Sequence, residues 1–319
     1  DFCLSRGLGD VYKRQMQDDA TLPTIDLIGF RFPRPAYRFP SGTNFQKKVN
    51  FSSAVFEGEV DFSGCFFSDS VDFYQAKFLG KASFGRVNFW DDATFLESEF
   101  SGHVSFENAE FHFVLFSDTK FSNAVFSGAR FVDVAFFIDS KFSDNAAFED
   151  TQFLEFASFE DTQFLGRVSF NGAQFSRDAT FARSQFLGDV SFYGLKVAGL
   201  MTFRSTLFQT EDYQILSSPI KQHASFESIK VDPRGEVRFE GDVCMSRVSL
   251  HHTDIRRFTF LDVKWGRLGG RASIMEHGVL EERKRRSKEE MILPNITPEH
   301  VHQIYVRLRR NLERSAGRY

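Results

Sequence analysis

Cysteine is scarce in this chain of 319 residues: Cys3, Cys65 and Cys244 are its only thiols. No two of them form a Cys-x-x-Cys pair, so no disulfide framework is implied and a reducing compartment, the cytoplasm, is expected. Long apolar runs are also missing, which leaves no candidate for a membrane span, and the opening residues lack the charged-then-apolar composition of a secretion signal. Catalytic signatures are absent in turn. There is no His-Glu-x-x-His, no Gly-x-Ser-x-Gly, no Walker loop and no Gly-x-Gly-x-x-Gly. His251-His252 and His300-x-His302 bring no third ligand and read as surface residues. No catalytic residue, metal ligand or cofactor is therefore expected, and the chain does not read as an enzyme.

Among the aromatics the imbalance is extreme, with 2 Trp and 7 Tyr against 42 Phe. The phenylalanines are also periodic. From Phe45 the series runs Phe51, Phe56, Phe62, Phe67, Phe73, Phe78, Phe84, Phe89, Phe95, Phe100 and Phe106, in alternating steps of six and five. It continues in pure fives through Phe111, Phe116, Phe121, Phe126, Phe131 and Phe136. The alternation then returns from Phe142 through Phe148, Phe153, Phe159, Phe164, Phe170, Phe175, Phe181, Phe186 and Phe192, and after Val197 through Phe203 and Phe208. Two residues before each aromatic stands a small or β-branched residue, as at Ala54, Val60, Cys65, Val71, Ala76 and Ala82.

A period of five fits neither an amphipathic helix nor a plain alternating strand, and it points to a repeat architecture. Residues two apart on an extended segment face the same way, so the small residue and the Phe can both point inward from one short side while the other three positions turn the corner. Four such sides close a square coil of about 20 residues, or about 22 where two sides carry six. The chain contains that longer repeat directly: Phe164-Leu-Gly-Arg-Val-Ser-Phe170 returns as Phe186-Leu-Gly-Asp-Val-Ser-Phe192, 22 residues later. The expected inward core includes Phe56, Phe62, Phe78, Phe84, Phe106, Phe116, Phe121, Phe126, Phe153, Phe164, Phe170, Phe186 and Phe192. One coil cannot stand alone. A buried Phe contributes roughly 1.5–3 kcal/mol, whereas ordering a five-residue side costs on the order of 5–10 kcal/mol. Stability must come from stacking coils on one another.

This pattern resembles the pentapeptide-repeat family, whose consensus is small, polar, aromatic or Leu, and two free positions. The resemblance implies an all-β repeat fold, a right-handed quadrilateral β-helix, here with a C-terminal α-helical segment. The alternating five-six step and the use of Phe in place of Leu depart from the family pattern and imply a wider coil or bulged corners on alternate sides.

Taken in order, residues 1–21 read as a disordered or non-native leader, the first fifteen of them resembling translated adapter sequence. Residues 22–44, with Pro23, Pro33, Pro35 and Pro40, read as an N-terminal cap, because proline has no donor to offer a further strand. The β-helix is expected over 45–208, an excursion loop over 209–222, and irregular final coils over 223–263. There Phe226, Val231, Phe239, Met245, Leu250, Ile255 and Phe260 take the inward place. Residues 264–319 read as a C-terminal cap with helices; Thr297-Pro298-Glu299 is a helix start, followed by Val301, Tyr305, Leu308 and Leu312 at helical spacing. This tail resembles a segment found in a subset of the family, through Val263, Trp265, Gly270, Arg271, Ile274, Tyr305, Leu308, Arg309, Asn311, Leu312 and Glu313. In that subset a second helix and often transmembrane helices follow, so the chain is expected to be a fragment.

Charge is uneven beneath a formal net of −4. Residues 45–208 hold 22 acidic and 13 basic residues, while 247–319 hold 9 acidic and 16 basic. The acidic pairs Asp91-Asp92, Glu149-Asp150 and Glu160-Asp161 fall on coil corners and read as solvated charges. Arg283-Lys284-Arg285-Arg286 reads as a solvated helix face, with contact to anionic lipid or nucleic acid as the alternative. The expected function is a non-enzymatic scaffold that binds another protein, as the cytoplasmic part of a membrane-anchored protein; membrane contact would come only through a downstream segment, and nucleic acid is not an expected partner. The alternative, implied by the resemblance, is a DNA mimic that binds a type II topoisomerase. An enzyme on a left-handed β-helix is disfavoured, since that fold uses strict six-residue sides with aliphatic centres.

Overall fold

The computed structural model describes residues 24–34, 36–208, 224–245, 248–250, 252–268, 271–273, 301–302, 304–306 and 308. The leader at 1–21, the loop at 209–222 and the cluster Arg283-Lys284-Arg285-Arg286 lie outside the described residues. What is described is a parallel β-solenoid of roughly ten coils. Each coil supplies one short strand to each of four faces. Face 1 is an 11-stranded parallel sheet that includes Thr24–Asp26, Lys48–Asn50 and Val71–Asp72. Face 2 takes Val55–Phe56, face 3 takes Val60–Asp61, and face 4, a 9-stranded sheet, takes Phe66–Phe67. Partners in neighbouring coils stand 22 residues apart, as in Phe78 opposite Phe56 and Val71 opposite Val49.

The two step lengths make two kinds of corner. In a five-residue step the chain makes a β-turn: the Ala76 amide donates to the Phe73 carbonyl at 2.9 Å, and Gln75 between them has φ of 55°. A positive φ at the third turn residue is the mark of a type II turn. Gly fills this place at Gly64 and Gly128, but Ser, Gln, Arg, Glu, Asn and Asp fill it elsewhere. In a six-residue step from face 2 to face 3 no such turn forms, and the coils come close through glycine. A Cβ added to Gly80 would lie 2.5 Å from the Gly58 carbonyl oxygen, and one on Gly102 would lie 2.6 Å from that of Gly80. Only a residue without a side chain fits there.

Inside, the phenylalanines form four ladders. Phe56, Phe78 and Phe100 stack with centroids 4.7 and 4.5 Å apart, and Phe45 lies 4.6 Å from Phe67 with rings 5° from parallel. Within one coil the rings meet edge to face, as Phe73 and Phe84 do at 5.7 Å and 83°. Both arrangements are favoured by the ring quadrupole, so each Phe is stabilised along the axis and across it. At several places the small inward residue carries a hydroxyl that bonds to the coil before. The hydroxyls of Thr119, Thr162, Ser184 and Thr206 donate to the carbonyls of Phe95, Phe137, Phe159 and Phe181, each at 2.7 Å.

One part of the expected register needs correction. Phe136 faces outward, half-buried, and Phe137 takes the core place with no exposure. The run of fives therefore ends at Phe131, and a six-residue step leads to Phe137. The physical reason is strand alternation: Ala135 is inward and buried, so the residue two beyond it must be inward too. Two residues are absent from the coils in this middle region relative to the 22-residue period, one at the corner before Phe113 and one at the corner beside Asn123. At the second corner the register slips between Phe100 and His103, and the strands Glu99–Ser105 and Lys120–Val125 run unbroken round it, fusing faces 2 and 3 into one 17-stranded sheet.

At the ends, parallel pairing begins before Phe45, with Thr24–Asp26, Arg31–Phe32, Tyr37–Arg38 and Asn44–Phe45 forming a first coil against the second. After the undescribed stretch, Phe226, Phe239, Met245, Leu250, Ile255 and Phe260 are buried, while Val231 is only partly so. The last strand of face 1, Phe258–Leu261, is followed by Trp265, whose ring sits 5.2 Å from Phe260, and then by an antiparallel pair, Gly266–Leu268 with Arg271–Ser273. Helical residues within 301–308 join the same apolar cluster through Val301, Ile304 and Leu308. Ile304 is thus a buried member of that helix face that the spacing missed, and Tyr305 packs at its edge.

Candidate interaction surface

The inward positions are fully occupied by packing. Phe56, Phe62, Phe78, Phe84, Phe106, Phe116, Phe121, Phe126, Phe153, Phe164, Phe170, Phe186 and Phe192 are all at most 1% exposed. Chemistry, if any, must sit on the outside. Among the described residues no group of three His, Cys, Asp or Glu side chains is placed to hold a metal ion. His252 and His302 are exposed, and His251 and His300 lie outside the described residues. Cys65 is buried, and burial together with the nearby Asp61 carboxylate pushes its thiol up to about 12, so it remains protonated and unreactive. A shallow depression of about 370 Å³ on face 4 is bordered by Gln174, Ser176, Lys196, Lys230 and Asp232.

Face 1 is different. Across the middle coils its outward positions change from polar to apolar. Asn50, Asp72 and Thr94 give way to Leu115 and Phe136, and then Ser158, Thr180 and Thr202 restore the polar character. Beside them, at the corner from face 4, Phe113, Val134 and Phe156 stand where Ser70 and Asp92 stand in earlier coils. Phe136 links this set, with its centroid 6.2 Å from both Phe113 and Phe156. Trp90, 54% exposed, extends the apolar surface round the corner and lies 5.4 Å from the His112 ring.

Carboxylates bracket this stripe on both sides at a spacing of six residues: Asp91 with Glu97, Asp133 with Asp139, and Glu155 with Asp161. The shortened coil between the first two lacks the first acid and keeps the second, Asp118. Taken together, the segments 91–97, 112–118, 133–139 and 155–161 carry nine carboxylates and no Lys or Arg. The second row, Glu97, Asp118, Asp139 and Asp161, occupies the positive-φ turn position in four successive coils, with φ of 56° in each. It ends in hydrogen-bonding partners. The Gln75 amide donates to Glu97 at 2.8 Å at one end, and Arg183 pairs with Asp161 and Glu160 at the other. Arg177, 3.7 Å from Glu155, ends the first row in the same way. In between, burial, then the charges of Asp161 and Asp118, hold the Asp139 carboxyl above its ordinary value. The pull of its two acidic neighbours makes the Arg183 guanidinium harder still to deprotonate.

The acidic pairs Asp91-Asp92 and Glu160-Asp161 therefore belong to one assembled surface. Glu149-Asp150 lies on the turn between faces 3 and 4, away from it. The outward Phe113, Phe136 and Phe156 were missed as surface residues because the ladder pattern absorbs any Phe near its register. The signal that separates them is the small inward residue: Ala135 sits two before Phe137, and Ala157 sits two before Phe159.

The family matches agree with the geometry of the coils. The family description "Pentapeptide repeats (9 copies)" matches residues 41–78, 64–110 and 148–196, and a second description, "Pentapeptide repeats (8 copies)", matches residues 103–143. No curated protein matches the sequence. Among solved structures the chain is similar to HetL, a pentapeptide repeat protein involved in heterocyst differentiation regulation from the cyanobacterium Nostoc sp. strain PCC 7120. The identity is 13%, the TM-score 0.22, and the match covers 83% of this chain and 98% of HetL. It is also similar to QnrB1, a plasmid-mediated fluoroquinolone resistance protein, at 12% identity and a TM-score of 0.20, over 66% of this chain and 91% of QnrB1. On its repeats and its coils, the chain belongs to the pentapeptide-repeat family.

Proposed function

We propose that this protein is a non-enzymatic interaction scaffold, which holds face 1 rigid and presents it to another protein. The observation that carries this reading is the placement of outward, half-buried Phe113, Phe136 and Phe156 between two rows of carboxylates, on a rod whose inward positions are spent on its own core. Apolar side chains grouped on the surface of a fold that does not need them there mark a place where a partner removes them from water. The coils lend rigidity, because every face 1 strand of this region is paired above and below. We place the rod in the cytoplasm, as the soluble part of a membrane-anchored protein, on the likeness of Val263, Trp265, Tyr305 and Leu308 to the tail that precedes membrane helices in a subset of the family. Among the described residues no helix is long and apolar enough to cross a membrane.

The test is photo-cross-linking in cells that express the chain, with a photoreactive residue in place of Phe136 or, as a control, in place of Gln185 on face 2. A discrete adduct from position 136 alone is the expected outcome. Absence of adducts from any outer face would remove the scaffold reading.

One observation favours a second reading, a DNA mimic that binds a type II topoisomerase. Nine carboxylates over four coils, at about 4.8 Å per coil, amount to roughly one charge per 2 Å, close to the one per ~1.7 Å of duplex DNA. Against it stands the apolar stripe between the rows, which has no counterpart in a nucleic acid groove. Inhibition of topoisomerase supercoiling by the purified protein, abolished by replacing the carboxylates but not by replacing Phe136, would favour the mimic.

A further inference from the structure

We infer that face 1 docks a cationic amphipathic α-helix of another protein, its apolar ridge laid along Phe113, Phe136 and Phe156 and its basic side chains reaching the two carboxylate rows. This deepens the scaffold reading and rests on it. The argument for a helix begins with the backbone. Face 1 is the interior of an 11-stranded sheet whose strands are paired on both sides through the middle coils. A docking strand would find no free N–H or C=O there, so strand addition is ruled out. A helix satisfies its own backbone and needs only side-chain contacts. The dimensions agree. Residues six apart span at most about 20 Å, so a helix about 10–12 Å across fits between the rows. Four coils give the stripe a length of about 14–19 Å, which three turns of helix would cover.

Charge selects the partner. The four segments of face 1 in these coils hold nine carboxylates and no basic residue, and among the described residues the basic side chains Arg177 and Arg183 stand at one end, already paired with acids below them. An acidic or neutral helix would lose its own solvation beside these rows without compensation, whereas Lys and Arg on both flanks of an apolar ridge would pair with them. The second row also stacks carboxylates at one turn position in adjacent coils, where like charges repel. The chain bears that cost along the length of the apolar stripe and drops it beyond, at Arg183.

The experiment uses the full chain and two labelled peptides of about fifteen residues and equal charge. One has a Leu/Phe ridge flanked by Lys when helical; the other is a Lys/Ser peptide with no ridge. Fluorescence anisotropy at two salt concentrations reads affinity, and the peptide's circular dichroism reads helix formation. The ridged peptide should bind at one per chain, gain helicity, and weaken as salt rises. Phe136→Ser should weaken it at least tenfold, and the pair Asp118→Asn with Asp139→Asn should weaken it and flatten the salt dependence. Because Phe136 is outward, unchanged thermal unfolding of Phe136→Ser separates lost binding from lost fold; the Asn pair supplies the same test without touching an aromatic. Equal binding of the ridgeless peptide would overturn the inference in favour of a bare electrostatic surface, the kind a DNA mimic needs. Self-association of the chain abolished by Phe136→Ser would overturn it in favour of a second copy as occupant. If the peptide fails but in-cell cross-linking from position 136 succeeds, the scaffold reading stands and the helix is wrong.

Discussion

At the residue scale, one side chain decides between packing and strain by its neighbours in the coil before and the coil after. Phe121 is stacked on Phe100 and Phe142 at 5.4 and 4.6 Å, so Phe121→Ala opens a cavity inside a ladder. A loss of roughly 3–5 kcal/mol is expected in denaturant titration, against almost none for Ser122→Ala on the outer corner. The buried hydroxyls give a finer contrast. Ser184 donates to the Phe159 carbonyl at 2.7 Å, whereas Ser98 at the equivalent inward place is buried without a partner. Ser184→Ala should cost about 1 kcal/mol, and Ser98→Ala should cost nothing or stabilise. Asp139 adds a pH-dependent term. Its carboxyl is raised by burial, Asp161 and Asp118, so the folded chain holds a proton there more readily than the unfolded chain. Stability is then lost as pH rises through the window that starts at the ordinary Asp value. Asp139→Asn should raise the unfolding temperature at neutral pH, and the gain should vanish once the pH falls below that window.

At the element scale, the coil was legible because its two inward places repeat with so little variation. A step of five or six residues, a Phe, and a small residue two before it suffice to close four sides, and even the Val197, Met245 and Leu250 substitutions keep the pattern readable. What was not legible follows from the same regularity. With Phe at both 136 and 137, the aromatic alone cannot choose, and only Ala135 fixes which one enters the core. The outer surface was harder still. The six-residue spacing of Asp133 and Asp139 has meaning only after the strand between them is known to be flat and the coils are known to stack in register. The ends of the rod rest on another element-scale argument. An uncovered last coil exposes unpaired strand groups, and we propose that Trp265 and the Val301, Ile304 and Leu308 face cover them. Truncation after Phe260 should then give larger assemblies by light scattering. A shortened chain that stays monomeric and equally stable would reduce the tail to a connector.

At the scale of the whole molecule, the rod separates two tasks that one residue type performs. Inward Phe builds a stack in which each coil depends on its neighbours, and outward Phe, on one face of the middle coils, is what we propose a partner covers. The claim that these are distinct roles carries the functional reading, and adjacent residues test it most directly. Phe136→Ser and Phe137→Ser should be compared in one pair of assays: chemical denaturation of the purified chain, and in-cell cross-linking from a photoreactive residue at the neighbouring outward position, Val134. Phe137→Ser should lose several kcal/mol of stability, as a large core residue replaced by a small polar one. Phe136→Ser should unfold like the unmodified chain yet lose its cross-linked partner. Equal destabilisation by both changes, or an undiminished adduct in Phe136→Ser, would contradict the account.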